Sequence, residues 1–336
     1  MENHFCWGDI LSSYELKILP QLEELAGIII DTASDVKLSL TLREWRKLAR
    51  PLIISAKAIG IENTNLRNQA EEIFYAVREK AVKLHNEHHK TREALKLILM
   101  LKESVADISA RLSDMANNDI RELEKLEREK IQAEREYEDY KSSIYYETEF
   151  GLIFKDKFRI SSDGISWKGV NTPLDEVYGM KWGGIRKYVN GMYMRTDYKI
   201  TLQTPYITVN LAPNEKKHNE IVPRLWRALA GSISAGILKQ LQAGELLFFG
   251  GIKIKDNGVY LKKSGWFSSD VQFFTWRDHI ITYSNNGMFI IEAGEYSASS
   301  SYINDMNTHI LEAMLQNFLR NPTSKRLRLS SLLDSH

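Results

Sequence analysis

The segment from Leu152 to Trp182 matches the segment from Leu246 to Trp276 at a constant offset of 94 residues, without a gap. Seven of the 31 positions are identical: Leu152/Leu246, Phe154/Phe248, Ile160/Ile254, Gly164/Gly258, Lys168/Lys262, Val177/Val271 and Trp182/Trp276. Average residue usage would give about two by chance. Asp163–Gly164 and Asn257–Gly258 fall at the same place in both copies and supply the positive-φ positions that hairpin turns require. A fixed period with matched turn chemistry marks a duplicated structural unit, and one period this long means tandem modules, not a solenoid of short repeats.

Each copy reads as short antiparallel strands. A strand is expected over 151–160 or 245–255, a second over 165–169 or 259–263, and another ending at the shared tryptophan. Further strands are expected at 184–190, 192–204 and 206–211 in the first copy, and at 279–284, 288–293 and 296–302 in the second. Asn190–Gly191 and Asn286–Gly287 make matching turns. Both copies then close on an amphipathic helix. One starts near Asn214 and carries Ile221, Leu225, Trp226, Leu229 and Ile233; the other starts near Asp305 and carries Ile310, Leu311, Met314, Leu315 and Phe318. Trp182 and Trp276 are expected to be equivalent core residues.

The chain before Phe150 has another character. It holds three of the 19 glycines and two prolines, Pro20 and Pro51, and is dominated by Leu, Glu, Lys and Ala. Its 22 basic and 28 acidic residues leave it at −6, against +7 for the remainder. Apolar spacings of three and four predict a helix over 9–30, and a Thr41/Glu44 capping box starts another that reaches Arg50. Pro51 opens or kinks a piece ending near Ile59, and Asn63, Thr64 and Asn65 are N-cap candidates for a much longer helix. Residues 66–147 contain neither proline nor glycine. As one helix they would span roughly 120 Å. Asn117–Asn118–Asp119 is the weak point, which favours an antiparallel hairpin with arms over 66–115 and 119–147. A continuous dimeric coiled coil, hence a homo-oligomer, is the alternative. The organisation expected is α+β and multidomain: a helical region over 1–61, a long helical hairpin or coiled coil over 62–148, β modules over 149–243 and 244–321, and a flexible tail over 322–336.

Strands of this number closed by one C-terminal helix resemble the pleckstrin-homology-like fold, so the second half resembles two such antiparallel barrels or sandwiches in tandem. The resemblance implies a binding scaffold for lipid, peptide or protein with no catalytic residues and no cofactor. A shared scaffold does not fix the ligand. In lipid-binding members, basic residues surround the first hairpin. The matching positions here are Lys155, Lys157, Arg159 and Lys168 in the first copy, and Lys253, Lys255, Lys262 and Lys263 in the second. Alternation puts Lys155, Lys157 and Arg159 on one strand face, as it does Lys253 and Lys255. Trp266 and Phe267 beside Lys262 and Lys263 form a loop suited to a membrane interface or a partner protein, or to folding back onto the core.

Other chemistry is weakly represented. His85 and His89, with His88 between them, share a helix face at metal-binding spacing but lack a third ligand. Gly183–Gly184 and Gly250–Gly251 lack the lysine and helix of a phosphate loop, and no nucleophile elbow is visible. Cys6, the single cysteine, excludes an internal disulfide and fits a reducing compartment. With a net charge of +1, no basic stripe, no apolar run of membrane length and no N-terminal signal, the expected protein is cytoplasmic and binds no nucleic acid. The leading function is a non-enzymatic adaptor for a partner protein. Attachment to anionic lipid and a histidine-bound metal are the alternatives.

Overall fold

The computed structural model describes residues 7–31, 35–59, 63–105, 108–151, 155–263, 270–320 and 327–335. The chain divides into two units, Met1–Tyr137 and Glu138–His336. Five helices precede the first strand among the described residues: α1 (Trp7–Asp31), α2 (Asp35–Ile59), α3 (Thr64–Asn86), α4 (Thr91–Val105) and α5 (Ala110–Ile144). None of the described helices is long and apolar enough to cross a membrane.

The first unit buries one apolar cluster that includes Leu22, Ile29, Leu38, Trp45, Phe74, Ile98 and Leu112. Packing overrides several local signals. Thr41 does not cap a helix: it sits inside α2, its hydroxyl donates back to the Lys37 carbonyl at 2.8 Å, and Leu38 and Leu42 on either side are buried. Asn63 does cap α3, its side-chain oxygen accepting from the Leu66 amide at 3.0 Å. The stretch after it forms three helices, not a two-armed hairpin. Asn117–Asn118–Asp119 stays helical because Ala116 and Ile120 are buried and the Asp119 carboxylate accepts from Arg78 Nε and Nη2 at 2.6 and 2.9 Å. The first break comes instead after Asn86. His89 takes a left-handed backbone, φ 54°, and the Lys90 amide reaches back to the Leu84 carbonyl at 2.9 Å. Ser109 starts α5 by accepting from the Leu112 amide.

The second unit holds fourteen antiparallel strands among its described residues. The first copy is β1 (Tyr146–Phe150), β2 (Asp156–Ser161), β3 (Gly164–Trp167), β4 (Val170–Thr172), β5 (Gly179–Val189), β6 (Met192–Gln203) and β7 (Thr208–Leu211), closed by α6 (Glu215–Gln242). The second is β8 (Leu247–Phe249), β9 (Ile252–Lys255), β10 (Gly258–Lys263), β11 (Val271–Thr275), β12 (Ile281–Asn285), β13 (Met288–Ala293) and β14 (Tyr296–Ser301), closed by α7 (Thr308–Arg320). The first copy forms two sheets, β1-β2-β3-β4 and β5-β6-β7. The second forms a single sheet, because Lys262 and Lys263 of β10 pair with Ser297 and Tyr296 of β14. None of these sheets closes into a barrel. The strand expected over 245–255 is a hairpin, and the one expected over 151–160 begins only at Asp156, with its partner β1 lying before that range. In the second copy the chain reverses at Gly250–Gly251; in the first, β1 and β2 flank a connection of which Leu152 and Phe154 lie outside the described residues.

The duplication survives at atomic detail around the shared glycines. Ile160 opposes Ile165 and Ser161 opposes Gly164; 94 positions on, Ile254 opposes Val259 and Lys255 opposes Gly258. A Cβ at Gly164 would collide with the Thr172 carbonyl, and one at Gly258 with the Phe274 carbonyl. Both closing helices bury the faces read from the sequence, Ile221, Leu225 and Leu229 on α6 and Ile310, Leu311 and Leu315 on α7, in one core common to both copies. Asn214 caps α6 by accepting from the Lys217 amide at 2.9 Å.

Residues 327–335, part of the expected free tail, are docked. A 3₁₀ turn over Leu329–Ser335 buries Leu329 and Leu332 in the same core. Asp256 holds it: its backbone oxygen accepts from the Leu329 amide at 2.7 Å and its carboxylate accepts from the Ser330 amide and hydroxyl at 2.7 and 2.8 Å. That backbone oxygen also accepts from the Trp276 indole at 2.8 Å.

The two tryptophans each cover their own closing helix but are not equally deep. Trp276 is 8% exposed and packs edge-on against Phe318 of α7, whereas Trp182 is half-buried and packs against Trp226 of α6. Trp276→Ala should lower unfolding free energy by about 3–5 kcal/mol, and Trp182→Ala by less. Urea denaturation followed by circular dichroism measures both, and equal losses would contradict this difference in depth.

Candidate functional site

Strands β5 and β6 continue past the sheet to which they belong. β7 pairs only with Ile200–Gln203 of β6, and beyond Lys199 the two strands run on as a two-stranded ribbon. Its tip is the Asn190–Gly191 turn, with φ of 50° and 80°, the left-handed pair that a two-residue hairpin needs. The register shifts between Lys187 and Tyr188, so Met194 is the extra residue of a bulge.

Among the described residues only the first turn of α6 approaches this ribbon, near Tyr198, so its outer part has two solvated faces and carries apolar side chains on both. Ile185, Tyr188, Val189, Met192, Tyr193 and Met194 are between 42% and 68% exposed. Cross-strand partners share a face. Tyr188 with Tyr193, Arg186 with Thr196, and Gly184 with Tyr198 therefore make one side. They line an open hollow of about 510 Å³ that reaches Glu215 in the first turn of α6. The Tyr193 hydroxyl bonds Thr196 at 3.0 Å, and the Tyr198 ring stands 4.4 Å from the His218 ring. Desolvation, then the charge of Glu215, pushes the Tyr198 phenol upward, so it stays a protonated donor. The other side holds Ile185, Val189 and Met192 beside Lys187 and Arg195, which both bind Asp197 at 2.9 Å. That pairing draws the Asp197 carboxyl below its ordinary value, Lys187 being the first cause.

The root of the ribbon is clamped by the second copy. Asn307 stands in for a strand residue: its amide donates to the Met180 carbonyl and its side-chain oxygen accepts from the Met180 amide, both at 2.9 Å. Its side-chain nitrogen donates to the Tyr178 carbonyl at 3.1 Å. Lys181 donates to the Asn304 carbonyl at 2.6 Å, and a Cβ on Gly183 would strike Ile303. His309 of α7 stacks flat on Trp182 at 3.9 Å and against Tyr302 at 4.4 Å, while its Nε2 reaches the Trp182 carbonyl at 3.1 Å. A carbonyl only accepts, so Nε2 carries the proton. Tyr302 donates to Glu312 at 2.8 Å, and burial pushes its phenol up to about 12.

The basic residues expected around the first hairpins divide sharply. In the first copy Lys155, Lys157 and Arg159 are exposed on one face, but Lys155 binds Glu149 at 3.0 Å, Lys157 binds Glu147 at 2.7 Å and Lys168 binds Asp156 at 3.4 Å. In the second copy Lys263 binds Glu295 at 2.8 Å, whereas Lys255 and Lys262 have no carboxylate partner among the described residues. Strand register lines up Phe248, Lys253, Tyr260 and Phe273 across four strands, with the Lys253 ammonium 5.7 Å from the centre of the Phe248 ring. Trp266, Phe267 and Cys6 lie outside the described residues.

The histidine spacing does not translate into a shared helix face. α3 ends at Asn86, so His89 is on the turn, and His85 Nδ1 contacts the Thr91 hydroxyl at 3.1 Å. No cluster of three potential metal ligands occurs among the described residues.

No protein-family model, curated protein or solved structure matches the chain.

The ribbon escapes sequence reasoning because its arms have the length and composition of ordinary strands. Its signal is apolar residues at consecutive positions, Tyr188–Val189 and Met192–Tyr193–Met194, where a half-buried strand alternates. The clamp carries a pH test. Burial lowers the His309 pKa from the ordinary 6.5, against the opposing pull of the Trp182 carbonyl. Protonation is thus harder in the folded state. Its stabilising contribution is present above 6.5 and is lost as pH falls through that value toward the folded one. His309→Gln should flatten the acid limb of thermal stability, read by calorimetry; an unchanged limb would contradict a neutral, buried imidazole.

Proposed function

We propose that this chain is a non-enzymatic, cytoplasmic adaptor whose second unit consists of two pleckstrin-homology-like modules, the first gripping a partner protein through the β5–β6 ribbon. Two runs of seven antiparallel strands, each followed by one amphipathic helix, support the module assignment. One observation carries the binding role: six large apolar side chains stand in solvent on a two-stranded ribbon. Such patches on an otherwise well-buried protein mark interaction surfaces.

The partner's chemistry follows from the ribbon. β5 is an edge strand, and beyond the residues held by Asn307 its outer backbone groups are unpaired by any strand among the described residues. An extended segment can add there by main-chain hydrogen bonds, with alternate side chains entering the tyrosine-lined hollow. Arg186 favours an acidic residue in that segment.

A second reading, attachment to an anionic lipid surface, is favoured by the Phe248–Lys253–Tyr260–Phe273 row with Lys255 and Lys262. The neutralised lysines of the first copy add little to it, since exposed ion pairs satisfy charge that lipid phosphate would otherwise meet.

A photocrosslinking residue at Met192 should capture partner protein from cells, and one at the exposed Asn257 turn should not. Ile185→Lys with Tyr188→Ser should weaken that capture about tenfold or more while leaving the melting temperature unchanged. Crosslinks no stronger at Met192 than at Asn257 sink the protein-binding reading. Sedimentation with phosphatidylserine vesicles that Lys253→Glu/Lys262→Glu abolishes would establish the lipid reading instead.

A further inference from the structure

α2 is the exception in an acidic half. The first 150 residues sum to −6, yet α2 carries Lys37, Arg43, Arg46, Lys47, Arg50 and Lys57 against only Asp35 and Glu44. The central four recur at three- and four-residue spacing, so they share one face. This is not the packing face: Leu38, Leu42, Trp45, Ala49 and Leu52 take that role. Instead Arg43, Arg46, Lys47 and Arg50 line a hollow of about 760 Å³ with Glu103 of α4 on its far side and Pro51, Ile54 and Ser55 at one end. The size suits a small molecule.

The charges in the hollow do not cancel. Arg46 meets Glu103 at 3.4 Å, and Lys47 stands 4.0 Å from Glu44. Arg43 and Arg50 have no carboxylate or hydrogen-bond partner among the described residues. They lie seven residues apart, which places them about 10 Å from each other along the helix. Two planar guanidiniums at that separation, with Lys47 between them, match two or more phosphate groups on one compact ligand. Acceptors are present as well. Pro51 has no amide hydrogen, so the Lys47 carbonyl loses its usual helical donor, and Glu103 and Ser55 face the same space. Acceptors beside phosphate-binding cations suit hydroxyl groups. A long polyanion fits poorly, because the rest of this half repels it.

We propose that the hollow between α2 and α4 binds a multiply phosphorylated polyol, with Arg43 and Arg50 each holding a phosphate and Glu103 and the Lys47 carbonyl accepting from hydroxyls. The headgroup of a phosphorylated inositol lipid and a free inositol phosphate share this chemistry.

Isothermal titration of the full chain with inositol 1,4,5-trisphosphate, which carries both phosphates and free hydroxyls, tests it. Saturable one-to-one binding is expected. Arg43→Gln/Arg50→Gln, which removes two exposed and unpartnered side chains, should weaken it about 30-fold or more. Glu103→Gln should change affinity by a smaller factor, because it frees Arg46 while removing one acceptor. The same variants, assayed by sedimentation with phosphatidylcholine vesicles containing phosphatidylinositol 4,5-bisphosphate, decide the source: binding of vesicles and free phosphate alike supports a lipid headgroup, and binding of the free compound alone supports a soluble one. Absence of saturable binding to either probe overturns the proposal. So does binding that the double variant leaves intact, or tighter binding to a duplex oligonucleotide than to inositol 1,4,5-trisphosphate. The β5–β6 ribbon variants should leave this titration unchanged, so the two readings fail separately.

Discussion

An open antiparallel sheet that buries only one face is stable only where something apolar lies on that face. In the second unit this is done twice by a helix that comes directly after the last strand of its copy, α6 on the first and α7 on the second. Ile221, Leu225 and Leu229, and again Ile310, Leu311 and Leu315, supply the covering stripe. Burying such side chains contributes roughly 1.5–3 kcal/mol each and outweighs any single hydrogen bond nearby. The reach of those helices sets where the module ends. β5 and β6 outrun both α6 and the partner strand β7, and whatever is apolar beyond that limit stands in water.

The ribbon and the seam between the copies are therefore one arrangement. The apolar tip is held out by strands whose root is bolted to the second copy through Asn307, Lys181, Gly183 and the Trp182–His309–Tyr302 stack. A binding element on a rigid root loses less conformational freedom when a partner docks. Duplication supplied the bolt: the second copy retains the shared glycine turn and closing helix, while its β12–β13 hairpin is short and its sheet continuous.

Much of the fold is legible in the residues alone. The change of character near Phe150, the places of the two hairpins at Gly164 and Gly258, the cap at Asn63, the start of α6 near Asn214 and the faces of both closing helices all come from spacing and residue type, although of Asp163, Gly164, Asn257 and Gly258 only Gly164 takes the positive φ expected of these turns. Local chemistry misleads where packing overrules it. Thr41 looks like a cap but bonds backward inside α2, and Asn117–Asp119 looks like a break but is pinned by Arg78 and two buried neighbours. The turn at His89 has neither glycine nor proline to announce it. The lysines that alternation gathers on one strand face are paired with acids of β1 in the first copy, Lys155 with Glu149 and Lys157 with Glu147, which spacing along a single strand cannot reveal.

By itself the sequence determined the order of helices then strands, the existence of two related β modules and the apolar face of each closing helix, because periodicity and turn preference act over a few residues. Only the tertiary structure decided which basic groups remain unneutralised, that the C-terminal segment docks on Asp256, and that one hairpin outruns its cover. Those outcomes depend on which side chains meet across tens or hundreds of residues of chain, and no local pattern encodes that meeting.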